Sequence, residues 1–373
     1  GHYDVQPVGD ERLWTSPPFE PELRDGAVFA RGAADDKGQV LTHLMAAEAW
    51  MKTAGRMPVR VKYLIEGEEE VGSKGLGPLI RDQQERLACD YVVISDTAKL
   101  DADTPAITYG TKGMVYKEII LTGPSSDLHS GSFGGTVFNP ANVLAKIIAG
   151  LKDDQERVTI PGFYDAVRPA SAEEKAALAH LPFDEGAYLT STGSPALTGE
   201  AGFSTLERRW LRPTLDVNGL LSGFTGQGAS TIIPARAMAK VSMRIVPDQE
   251  PEAVSEAFDR AVRALTPKGV RLEVKTWATA AAYLCPIDSP GIQAARVGVE
   301  AGYGTPPALI REGGTLPILP MFREVLGAES IMMGFCVPDC HAHGPNEFFA
   351  VEDLICGTRS IAHFLQALAK PAA

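Results

Sequence analysis

The chain has 373 residues, 45% hydrophobic and 22% charged, which is the composition of an ordinary globular protein, and its length favours two domains over one. A formal net charge of −12 and a pI near 5.1 argue against a nucleic-acid or anionic-membrane partner, both of which need a basic face. No run of about 18 apolar residues appears, so no membrane span is expected, and five cysteines, few and odd in number, suit a reducing, cytoplasmic setting better than a disulfide scaffold.

In chain order, the opening GHYDVQP carries no methionine and no signal peptide. Apolar spacing predicts a helix over 39–54, a buried strand over 58–65 (VRVKYLI), a helix over 76–87 and a second buried strand at 91–96 (YVVISD). Strand and helix in alternation indicate an α/β unit with a mostly parallel sheet. From about residue 114 the character shifts. Strands are expected at 114–123, 237–247 and 270–284, and helices at 139–153, 171–181 and 250–269, with a long stretch rich in Gly, Ser and Pro between. After Pro286 the α/β rhythm returns with a helix at 289–302, a strand at 308–314, a helix at 317–327, a strand at 330–337 and a helix at 351–368. The simplest layout is an α/β catalytic domain at 1–113 and 286–373, interrupted by an inserted α+β domain at 114–285.

Cations need carboxylates and imidazoles brought to one point, which in open sheets lies beyond the carboxyl ends of the strands. Five places qualify. GHYDV offers His2 and Asp4, which share one face of an extended segment, so Asp4 can support the His2 ring. RGAADDKGQ offers Asp35 and Asp36, where one aspartate would suffice as a helix N-cap. EGEEEVGS crowds Glu66, Glu68, Glu69 and Glu70 into five positions, which is unfavourable unless positive charge sits among them or water screens them. VVISDT places Asp96 directly after a strand, where a plain turn residue is the simpler reading. CHAHGPNE offers His341 and His343. A local zinc site drawn from Cys336, Cys340 and these histidines matches no known finger or ribbon spacing, and Cys336 reads better as a buried free thiol.

These motifs, with DLHSGSFGG and REGG, occur in the order found in the dinuclear metallopeptidases that include aminoacylase, glutamate carboxypeptidases and carnosinase-like dipeptidases. The chain resembles that family over nearly its whole length, and GQGASTIIPARAMAKVSMRIVP is most similar to the dipeptidase branch. The resemblance implies two divalent metal ions per subunit, Zn2+ first, with Mn2+ or Co2+ also compatible with such ligands. It implies that Asp35 bridges them, that His2 and Asp96 complete one site, and that Glu70 and His343 complete the other. Glu69 would be the general base, Asp4 would orient His2, and a cis peptide is expected between Asp35 and Asp36. The inserted domain would be a lid that also forms a homodimer, with His129 polarising the scissile carbonyl. Arg244, Thr231, Gly313, Gly314 and Thr315 would hold the C-terminal carboxylate region of a dipeptide or short peptide. Members of the family carry a substantial segment before the GHYDV-type motif, so an N-terminal segment is expected to be missing.

The nearest alternatives are an N-acyl amino acid amidohydrolase or an exo-carboxypeptidase of the same family. A non-catalytic metal-binding protein on this fold would have lost the base, and Glu69 is present. A serine hydrolase is disfavoured because no G-x-S-x-G elbow appears.

Overall fold

The computed structural model describes residues 1–369. The chain divides into two compact units. Among the described residues, one comprises 1–110, 284–311 and 318–369; the other comprises Thr111–Tyr283 and Glu312–Pro317. The short strip Glu312–Pro317 thus belongs with the inserted unit, which its sequence did not announce.

The first unit is α/β. Its main sheet runs Tyr283–Leu284, Ala106–Thr111, Glu329–Met332, Tyr91–Ile94, with Ala308–Glu312 also paired to Ala106–Thr111. The sheet is mixed: Glu329–Met332 lies parallel to Tyr91–Ile94 and meets Ala106–Thr111 antiparallel. A second sheet, not anticipated, joins Glu22–Arg24, Ala27–Phe29 and Phe348–Ala350, all antiparallel. Three long helices, Lys37–Ala54, Pro290–Tyr303 and Val351–Leu368, supply most of the helical packing. Ser289 caps the second of these by accepting from Ile292 N–H, with Pro290 at its first position, the usual start signal. Gly298 lets that helix press against Val351–Leu368; a Cβ there would lie 2.6 Å from the Ser360 carbonyl oxygen.

Two expectations need correction. Residues 58–65 do not form a buried strand: Tyr63 and Ile65 are exposed, and pairing is confined to the end of the run. Gly1 N–H donates to Leu64 O, Glu66 N–H to Gly1 O and Tyr3 N–H to Glu66 O, a parallel bridge of residues 1–3 with 64–66. Leu64 packs on a small cluster of Leu76, Ile80 and Phe322, which gives the run its apolar look. The helix expected over 76–87 breaks at Gln83 into Leu76–Asp82 and Gln84–Leu87.

The second unit is α+β. Its sheet is antiparallel throughout, in the order Arg271–Ala280, Gly113–Thr122, Arg236–Ile245, Thr214–Ser222. Alternation along Arg236–Ile245 turns Ala237, Ala239, Val241, Met243 and Ile245 inward, where they meet Val143, Leu144, Ile147, Val254, Phe258 and Val262 of the helices Pro140–Ala149 and Pro251–Leu265. Lys117 is fully buried in this core, its Nζ bonded to Ser255 Oγ, Thr276 Oγ1 and Asp259 Oδ1 at 2.7–2.8 Å. The Gly-rich middle hides the strand Thr214–Ser222 and the helices Glu185–Thr192 and Thr205–Trp210.

Candidate metal centre and active site

All five motif segments converge in the first unit. His2 Nε2 lies 2.9 Å from Asp35 Oδ1 and 3.9 Å from Asp96 Oδ2. His343 Nε2 lies 2.9 Å from Asp35 Oδ2 and 3.4 Å from Glu70 Oε2. Asp35 therefore stands between two donor triads, His2–Asp35–Asp96 and Asp35–Glu70–His343, whose ligand atoms within each triad lie within 4.8 Å of one another.

The chain holds each donor from behind. Asp4 faces His2 Nδ1 at 3.3 Å through Oδ1, and its carboxylate accepts Glu69 N–H on Oδ1 and Glu70 N–H on Oδ2 at 3.3 and 3.1 Å. His2 Nδ1 also meets the Asp4 backbone carbonyl at 3.0 Å, so one residue holds both the ring and the glutamate turn. Gln6 Nε2 donates to Glu70 Oε2 at 2.8 Å. Asp36 caps no helix with its side chain; its Oδ2 accepts His2 N–H instead, and the Asp35–Asp36 peptide is cis. The glutamate cluster divides: Glu66 accepts Ser73 Oγ–H and Glu68 accepts Gly75 N–H, so both secure the turn, whereas Glu69 and Glu70 are half-buried beside the triads.

Charge is crowded here. Burial, and then the Asp96 carboxylate, push Glu69 up to about 7. Burial and Asp35 push Asp96 up to about 6, and burial with Asp96 pushes Asp36 well above the carboxylate range. Burial opposes a charge on His2, yet its bond to Asp35 and the surrounding carboxylates carry it up to about 10. Burial also opposes ionisation of Asp35, but the two histidines outweigh it and hold that carboxyl below its usual value. Such a cluster costs energy without added positive charge. Imidazole and carboxylate donors in threes around a shared carboxylate fit divalent cations, with coordination positions left for water or substrate.

In the second unit, His129 ends the two-residue strand Leu128–His129, paired with Ile232–Ile233. Its Nδ1 accepts Gly131 N–H and Ser132 N–H at 3.0 and 3.3 Å. In the neutral ring the proton must then sit on Nε2. Thr231 belongs to this turn, its carbonyl accepting Ser130 N–H. Arg244 Nη1 donates to Thr315 Oγ1 at 2.7 Å. Gly313 N–H and Gly314 N–H both point to Glu312 Oε1, at 2.7 and 3.3 Å, so this turn already accommodates a carboxylate oxygen. Thr231 and Arg244, grouped by sequence, thus sit in two different local networks.

A family model described as peptidase family M20/M25/M40 matches residues 1–367. The chain belongs to this family. It is 31% identical over 375 aligned residues to the human Beta-Ala-His dipeptidase, covering 99% of this chain and 74% of the relative. It is 32% identical to the Cys-Gly metallodipeptidase of Schizosaccharomyces pombe, covering 99% and 79%. Among solved structures, an M20 family metallo-carboxypeptidase from Sulfolobus solfataricus superposes with a TM-score of 0.88 at 33% identity, covering 99% of this chain and 84% of that one. As an M20 peptidase the protein is a metal-dependent hydrolase of peptide bonds, and each triad offers a donor set of the kind a divalent ion takes.

Several residues that hold this cluster in place were not singled out by the sequence. Gln6 and Asn346 look like loop polar residues, yet Asn346 pins the His343 loop by donating to Leu13 O and accepting Thr15 N–H. Gln39 joins two turns, donating to Ala34 O and accepting Phe335 N–H. Glu347 closes the same motif as His343. The available signal was indirect: the turn RGAADD has more backbone N–H groups than its own side chains can satisfy, so acceptors had to come from elsewhere.

Proposed function

We propose that the protein hydrolyses dipeptides, with two divalent ions per subunit, zinc first and manganese or cobalt as alternatives. The observation that carries this reading is the pair of donor triads sharing Asp35 with Glu69 beside them. His2 and Asp96 would hold one ion, Glu70 and His343 the other, and Asp35 both. A divalent ion bound there supplies Lewis acidity toward the scissile carbonyl and water. Glu69 takes a proton from the attacking water and returns it to the leaving amine, a task suited to a group near 7. Asp4 keeps the His2 ring and the Glu69–Glu70 backbone in register for this. His129 donates Nε2–H to the carbonyl oxygen as charge develops there. Arg244, Thr315 and the Gly313 and Gly314 N–H groups bind the substrate's carboxylate; the bond that Glu312 already makes to both glycines supports this, and the planar fork of Arg suits a carboxylate. Thr231 steadies the His129 turn.

A dipeptide is preferred because the human and S. pombe relatives are named as dipeptidases. The likeness to the Sulfolobus carboxypeptidase favours a second reading, removal of C-terminal residues from longer peptides. A homodimer is proposed through the edge strand Thr214–Ser222, which exposes Val217, Leu220 and Leu221. Five free cysteines support a cytoplasmic location. The test is hydrolysis of dipeptides, tripeptides and N-acyl amino acids with Zn2+ or Mn2+ supplied. Turnover concentrated on dipeptides is expected. Faster cleavage of N-acyl amino acids or of longer peptides overturns the substrate assignment.

A further inference from the structure

We propose that Glu347 is a positioning residue for Asp35, setting where the shared carboxylate stands and hence how tightly the site holds its cations. The proposal rests on the dinuclear reading above. Glu347 is 0% exposed and lies four residues beyond His343. Its carboxylate accepts four hydrogen bonds. Oε2 takes Arg31 Nη1–H at 2.7 Å and Gly32 N–H at 2.8 Å; Oε1 takes Ala34 N–H at 2.9 Å and Asp35 N–H at 3.0 Å. Its own carbonyl also accepts Ala30 N–H. The turn from residue 30 to 35 is therefore gathered around this one residue, and the bond from Asp35 N–H to its carboxylate fixes the backbone of the residue whose side chain reaches both His2 and His343.

The two oxygens do different work. Oε2 neutralises Arg31 in a fully buried ion pair, which concerns stability. Oε1 takes the N–H of Asp35 and of its neighbour, which concerns geometry at the centre. Because His343 and Glu347 share one short loop, the same carboxylate also ties the turn carrying Asp35 to the loop carrying His343. Partners behind a ligand typically alter metal affinity by roughly 10- to 100-fold when removed.

Glu347→Gln keeps the shape but turns an NH2 toward one pair of donors. Arg31→Gln disturbs only the Oε2 side and serves as the comparison for stability. For each protein, Zn2+ affinity is measured by competition with a chromophoric chelator, and thermal unfolding is measured on the metal-free form. Glu347→Gln is expected to lower Zn2+ affinity by roughly 10- to 100-fold. Arg31→Gln should lower the unfolding temperature while binding Zn2+ much as wild type does. Should Glu347→Gln fail to fold, Glu347→Asp replaces it: one methylene shorter, it keeps the charge for Arg31 but cannot reach both the Arg31 side and the Asp35 N–H, and the same affinity loss is expected. Affinity that falls in step with unfolding temperature in both variants, or that is unchanged in the Glu347 variants, overturns the positioning role. Wild-type protein that binds no Zn2+ defeats the dinuclear reading, and this proposal with it.

Discussion

Replacing Glu69 by glutamine separates chemistry from metal binding. The amide has nearly the size of the carboxyl, and the backbone N–H that Asp4 Oδ1 accepts at 3.3 Å is untouched. Neither donor triad includes the Glu69 side chain, so the metal content should stay at the wild-type value. What disappears is the proton acceptor. General-base catalysis contributes about 10²- to 10⁴-fold, which at about 1.36 kcal/mol per decade is roughly 2.7–5.4 kcal/mol of barrier. The assay pairs kcat on a saturating dipeptide with elemental analysis. Glu70→Gln is run alongside: its carboxylate lies 3.4 Å from His343 Nε2, so it should lose metal as well as turnover. A Glu69→Gln enzyme with full metal and turnover within tenfold of wild type would refute the base assignment. Loss of metal from Glu69→Gln would instead make Glu69 a ligand.

Arg244→Lys should raise KM about 10- to 100-fold, from loss of a charge-assisted contact of roughly 1.5–3 kcal/mol, with metal content unchanged; initial-rate kinetics showing a fall in kcat alone would contradict carboxylate binding by Arg244. His43 gives a pH prediction. Its Nε2 lies 2.8 Å from Ser95 Oγ, and burial lowers it from 6.5 to about 4. The unfolded chain then binds more protons at this ring, so stability is lost as pH falls from 6.5 through 4. The full difference, 6.5 − 4, corresponds to at most about 3.4 kcal/mol. Denaturant unfolding at pH 7 and pH 4.5 should show wild type losing more stability than His43→Gln, and identical acid limbs would refute it.

Much of the candidate centre was legible because its donor residues sit in motifs whose composition is hard to explain otherwise: two adjacent aspartates where one cap suffices, and four glutamates in a turn. The helices were legible where caps and apolar spacing agreed, as at Ser289–Pro290. The rest depended on information no local window contains. Residues 58–65 are apolar and β-branched, yet only the end of the run finds a pairing partner, because strand formation depends on a neighbour as well as on propensity. The glycine-rich stretch before Arg236 concealed the strand Thr214–Ser222, whose register shifts between Val217 and Gly219 and whose burial does not alternate. Glu347 reads as one more loop glutamate until the N–H groups of a turn some 310 positions away are seen to converge on it.

The division of labour among the carboxylates follows from what each one touches. Asp35 is reached by two imidazoles and is held below its usual pKa, so it stays anionic and suits a position shared between cations. Glu69 belongs to neither triad and is held up to about 7 by burial and then Asp96, with His2 pulling the other way. Carboxyls pushed apart in this way mark ligand and base. The separation originates in the backbone: Glu347 directs Asp35 toward the histidines, and Asp4 binds the N–H groups of both Glu69 and Glu70. Asp4→Asn tests that origin, since its amide can satisfy Oδ1 or Oδ2 partners but not both. Metal affinity should fall by roughly 10- to 100-fold, and kcat should fall further than metal occupancy because the base and a ligand are displaced together. Loss of occupancy alone, with each metal-loaded molecule as fast as wild type, would show that Asp4 supports His2 and leaves Glu69 in place.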